Sequence, residues 1–233
     1  MPAHSTTWYF PVEQFIDSSL TRVLIPKELV TDSMQKNVNY LFLLANRVVE
    51  QRVVSRIDTF KLNWFSYYLY KLQEPVLYNY PLGKEVYRLT WIRSFHPPVV
   101  IRLEKDGNRT RLTTKILSRI PELPGHWYST RDGTIHLADT SASIGFRKKS
   151  VRTVPKAVYN EYVRLFVELK ASFISPLGFR TSLGSDGSEW ILETHKPDGY
   201  QFIVRWSPKQ KEALRTLGDY LLNISDARKE ERY

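Results

Sequence analysis

The chain has 233 residues, 42% hydrophobic and 25% charged, which is enough apolar side chain for a sizeable core and too much for a disordered chain. It has no cysteine, which excludes a disulfide scaffold, a thiol nucleophile and any thiolate metal site. The formal net charge of +10 is uneven: residues 1–59 carry six basic and six acidic side chains, leaving 28 basic against 18 acidic for residues 60–233.

The first residues, Met1 to Thr7, show neither the basic nor the apolar region of a signal peptide, so the expected location is cytoplasmic. The most apolar stretch, Val38 to Val49, is interrupted by Asn39, Asn46 and Arg47 and is too short to span a bilayer. Met34, Val38, Leu41, Ala45 and Val48 recur at helical spacing after Thr31 and Asp32, predicting a first helix. A second should follow Thr59, with Phe60, Trp64, Tyr68 and Leu72 four apart, and must stop before Pro75. Residues 1–75 therefore read as a helical N-terminal layer.

Residues 76–225 read as an antiparallel α+β core. Tyr87, Leu89 and Trp91 alternate with Arg88 and Thr90, and Val99, Ile101 and Leu103 alternate with Arg102 and Glu104. Asp106-Gly107-Asn108 turns the chain into a third strand bearing Leu112 and Ile116. Thr134 to Ala138 predicts a short strand. Val158, Tyr162, Leu165, Phe166 and Leu169 mark an amphipathic helix opening at Pro155. A hairpin then joins Ser188–His195 to Tyr200–Trp206. The expectation is a three-residue loop with Gly199 left-handed, because this sets Trp190 by Trp206, Leu192 by Val204 and Thr194 by Phe202 on one buried face. Ser207-Pro208-Lys209-Gln210 reads as the capping box of a last helix, with Leu214, Leu217, Leu221 and Ile224 as its buried stripe. The charged tail, residues 226–233, is expected to fray. The predicted fold is thus a mainly antiparallel sheet of five or more strands with helices packed on one face, plus the N-terminal helical segment.

Several short motifs are distinctive: Glu85-Val86-Tyr87-Arg88, Ser94-Phe95-His96-Pro97-Pro98-Val99, Asp186-Gly187, Trp190-Ile191-Leu192-Glu193 and Arg205-Trp206-Ser207-Pro208. In these the chain resembles a family of uncharacterised bacterial proteins that look like α+β proteins with this strand-and-helix order. The resemblance covers roughly the back two thirds of the chain and implies no activity, cofactor or catalytic residue.

No dinucleotide or phosphate loop, zincin motif, nucleophile elbow or calcium loop is present in the sequence. No cofactor is expected, and no metal, because the histidines His4, His96, His126 and His136 stand at no telling spacing. Alternation puts Arg88, Arg102, Lys115, Glu193, His195 and Arg205 on the face away from the helices. Glu193 and His195, two apart, with Arg205 diagonal to Glu193, are the weak catalytic candidates for acid–base work in a hydrolase-like enzyme. The bland reading is a solvated sheet face laced with ion pairs, and it is the stronger one. Arg147, Lys148, Lys149, Arg152 and Lys156 have no acid among residues 140–156. They are candidates for binding nucleic acid or another anionic surface, but such a run beside a helix is more often a solvated edge strand guarded by lysines. The leading expectation is a non-enzymatic interaction protein with a protein partner, because aromatics abound on the strands.

Overall fold

The computed structural model describes residues 9–10, 52–78, 81–122, 127–129, 135–137, 143–171, 174 and 186–232. The chain divides into two compact units, Thr7–Ser66 and Met1–Thr6 with Tyr67–Tyr233. The helix expected over Met34–Val48 lies outside the described residues. In the first unit Tyr9, Phe10, Leu62 and Phe65 are buried. Phe10 meets Phe65 edge-on, with centroids 6.2 Å apart.

Helix α1 (Arg52–Lys71) ends in the second unit. Its end is a left-handed cap: Gln73 has φ +52°, its N–H donates to Tyr70 O, and Glu74 N–H donates to Leu69 O. Pro75 then forbids further helix.

The second unit is built on one six-stranded antiparallel sheet. Its strands are β1 (Glu85–Arg93), β2 (Val99–Asp106), β3 (Arg109–Leu117), β6 (Phe146–Thr153), β7 (Ser188–Lys196) and β8 (Gly199–Trp206), in the order β6-β3-β2-β1-β7-β8. The two hairpins share this sheet, as the alternation predicts. β4 (Trp127–Ser129) and β5 (Ile135–Leu137) pair separately. Helices α2 (Lys156–Glu168) and α3 (Ala213–Asn223) lie on one face. There Tyr159, Tyr162, Phe166, Leu214, Leu217 and Leu221 cover Tyr87, Leu89, Trp91, Ile101, Leu192 and Ile203. Tyr87 packs edge-on against Tyr162 at 4.9 Å, and Trp91 meets Trp190 in a tilted arrangement at 5.3 Å. Gly218 lets α3 come close: a Cβ there would stand 2.4 Å from the Trp190 ring.

Three expectations need correction. The β7–β8 register is Trp190↔Arg205, Leu192↔Ile203 and Glu193↔Phe202, around Pro197-Asp198, not the three-residue loop. Gly199 does take a positive φ, +143°, but as the partner of Lys196. The last helix does not start at a Ser207 cap. The Ser207 hydroxyl accepts from Ser188 N–H at 3.0 Å and Ser207 N–H donates to Ser188 O at 2.7 Å, so Ser207 closes the ladder and α3 begins at Ala213. The tail does not fray either. Ala227 is buried and Glu230 binds the enclosed Arg93 at 2.8 Å.

Candidate functional site

The register builds a row of charges on the face away from α2 and α3. Arg88, at the middle of β1, lies opposite Glu193 of β7 on one side and Arg102 of β2 on the other. Strand alternation puts Lys115 and Glu104 on the same face. This face is not solvated, contrary to expectation. The segment after α1 crosses it: Arg88 Nη1 donates to Pro75 O at 2.6 Å, Lys115 Nζ to Leu72 O at 2.9 Å and to Gln73 O at 2.7 Å, and His195 Nδ1 stands 3.1 Å from Leu77 O. Lys115 thus binds the two carbonyls just past the C-terminal end of α1, where a cation is favoured.

The charges pair in two groups. Glu193 receives Arg88 through Nε at 2.7 Å and Nη2 at 2.6 Å, and Tyr200 Oη donates to it at 3.0 Å. Both Arg88 and Glu193 are 0% exposed. Glu74 serves three cations: Arg102 at 2.5 Å, Lys115 at 2.7 Å and Arg88 at 3.5 Å. Glu104, paired with Arg102 at 3.2 Å and with Lys84, extends the network outward.

The electrostatics follow from how many partners each group has. Burial pushes the Glu74 carboxyl up, yet Arg102, Arg88 and Lys115 together outweigh it and hold the group below the usual carboxylate value. Glu104 behaves likewise, against Arg102 and Lys84. Burial pushes Lys115 down, and the shared carboxylate of Glu74 returns less than burial takes. Burial disfavours charge on Arg88, but Glu193 and then Glu74 raise it above its ordinary value, so it stays cationic. Burial and the Glu193 charge push the Tyr200 phenol well up, so it stays a neutral donor.

The predicted trio therefore separates. Glu193 is enclosed and its oxygens are committed to Arg88 and Tyr200. His195 lies on the same face, opposite Val86 and Tyr200, beside Leu77 O. Arg205, expected diagonal to Glu193, is on the other face, because the one-residue change of register turns every β8 side chain over. Its Nη1 donates to Val204 O at 2.6 Å. Sequence reasoning missed Glu74, the carboxylate at the centre, because it sits in an aperiodic link between a helix end and a proline. It also missed Tyr200, which in the expected register points away from Glu193.

Arg147, Lys148, Lys149 and Arg152 all lie on β6, at the edge of the sheet, and Lys156 begins α2. Lys148 and Ser150 meet the tail and Arg152 the end of α3: Lys148 pairs with Asp226 at 3.3 Å, Ser150 Oγ donates to Asp226 at 2.6 Å, and Arg152 binds Ile224 O. Arg147 pairs with Glu230 at 2.7 Å. A groove of about 350 Å³ lies between β6 and the chain's end, lined by Lys148 and Arg152 on one side and by residues 223–226, Arg228 and Lys229 on the other. Arg228 and Lys229 reinforce the basic strand, a contribution that sequence distance conceals. His96 Nε2 is 3.7 Å from Glu231.

Among the described residues no group of three His, Asp or Glu side chains is placed to hold a metal, and no helix is long and apolar enough to cross a membrane. No family model, curated protein or solved structure matches this chain.

Proposed function

We propose that this chain is a non-enzymatic interaction protein whose partner is another protein, engaged along the β6 edge. The observation that carries this reading is the exposure of β6. Arg147, Lys148, Lys149, Val151, Arg152 and Thr153 are all exposed on a strand with one neighbour, and Val151 is 62% exposed. An accessible strand that mixes apolar and cationic side chains suits protein recognition. The acid–base alternative loses its support, because Glu193 is enclosed and Arg205 belongs to the opposite face. Replacing Val151 with a photo-crosslinking amino acid in the native host tests the proposal. Defined protein adducts from position 151, absent when the crosslinker replaces the equally exposed Val167 of α2, are the expected result. Adducts at both positions or neither would reject it.

A second reading is favoured by the groove, whose four cations face one carboxylate. A polyanion such as heparin or DNA would then bind, with retention falling steeply in salt. Under this reading Arg228→Glu with Lys229→Glu elutes much earlier from heparin, and unchanged elution rejects it.

A further inference from the structure

We infer that β6 takes up an extended acidic peptide from its partner as a seventh strand of the sheet. This deepens the protein-partner reading and rests on it. The phase of the ladder shows which backbone groups are free to do so. Val154 N–H donates to Thr110 O at 3.0 Å, so Thr110 and Val154 form a hydrogen-bonded pair in register with Arg111↔Thr153 and Leu112↔Arg152. Antiparallel ladders alternate bonded and non-bonded pairs. Arg152, Ser150 and Lys148 therefore aim their N–H and C=O groups at β3, and Thr153, Val151 and Lys149 aim theirs outward. These outward groups are an open template for another strand.

The side chains select what can add. Lys148 and Ser150 are held by the tail, and Arg152 by the end of α3, on the α3 side. On the other side stand Lys149, Val151 and Thr153. Lys149 there binds the neutral Gln73 amide at 3.1 Å and lies over the Phe146 ring at 4.8 Å, and among the described residues it pairs with no carboxylate. A second copy of β6 would bring lysines and arginines against one another, which the ladder penalises. A strand with acids opposite Lys149, Lys148 and Arg152 and an apolar residue opposite Val151 is complementary at every position. The same cations thus refuse self-pairing and accept an acidic strand.

The probe is the labelled peptide Thr-Glu-Val-Thr-Glu-Glu, written to lie antiparallel from Thr153 to Lys148, titrated into the full chain by fluorescence anisotropy. N-methylation at its third and fifth residues removes donors that face β6, and binding should weaken about tenfold or more through the loss of two hydrogen bonds. N-methylation at the second and fourth residues, whose N–H groups face away, should leave binding within about twofold. Val151→Pro removes an outward N–H and spares the β3 ladder, so it should fold and lose the peptide. Should that variant fail to fold, Lys149→Glu supplies the same test through charge. Equal binding of all N-methylated forms, or none by the parent peptide, overturns strand addition. Crosslinking at position 151 does not depend on backbone pairing. Protein adducts without phase-dependent peptide binding would therefore reject strand addition alone, and their absence would reject the protein-partner reading itself.

Discussion

Glu74 is the residue on which the buried charges converge, and its removal should be felt by three cations at once. Arg102, Lys115 and Arg88 all lie within 3.5 Å of its carboxylate. Glu74→Gln keeps the shape and deletes the charge, taking from Lys115 its carboxylate and from Arg102 and Arg88 one of the two carboxylates each meets. Urea unfolding at pH 7 should show a loss of about 3–5 kcal/mol. The pH dependence carries the same signature. Glu74 and Glu104 are both held below the ordinary value of 4.5 in the folded chain. Their contribution is therefore complete above that value and is lost as pH falls through the lower, folded value. Wild-type stability should stay level down to about pH 5 and then drop, and the drop should be shallower in Glu74→Gln. Equal acid slopes for the two proteins would mean that Glu74 does not carry the linkage.

At the scale of the element, the β7–β8 hairpin is where sequence logic and structure part. The expected register followed from a single buried face, on which Trp190 and Trp206 had to be opposed. Here both faces are covered, so Glu193 sits opposite the buried Phe202 at no cost in exposed apolar area, because Arg88 neutralises it. Trp190 instead touches Trp91 across the β1–β7 pair. Replacing either with Ala should cost about 3–5 kcal/mol. A double-mutant cycle between them should show a coupling of about 0.5–1.5 kcal/mol. Trp190 and Trp206 lie on opposite faces, and their losses should add within about 0.5 kcal/mol. Coupling in the second cycle and none in the first would restore the three-residue loop.

At the scale of the whole molecule, the sheet buries side chains on both faces, and the chain end fastens its outer corner. Glu230 reaches both Arg93 and Arg147, Asp226 reaches Lys148 and Ser150, and Ala227 is buried. Deleting residues 226–233 removes a carboxylate, Glu230, that binds the enclosed Arg93. It should cost on the order of 3 kcal/mol, or about 6–12 °C in melting temperature for a unit of this size. A melting curve identical to that of the intact chain would show a tail that contributes nothing. The deletion also takes Arg228 and Lys229 from the groove, so under the polyanion reading early elution from heparin should accompany it.

The strands at 85–117 and 188–206, the Gly107 turn and the helices bearing Tyr162 and Leu217 were legible in the sequence, because period-2 and period-3.6 patterns are local consequences of which side chain must be buried. The basic run at 147–152 was legible too, as an edge strand. Strand order, register and the identity of the central carboxylate were not. They depend on the segment 72–78 crossing the second face, where polar side chains that look destined for water are instead enclosed and paired. No local pattern distinguishes an arginine that faces solvent from one that will meet Glu74 and Glu193 across three separate stretches of chain. That choice belongs to tertiary packing, since only there is the desolvation of each charge offset by its partner.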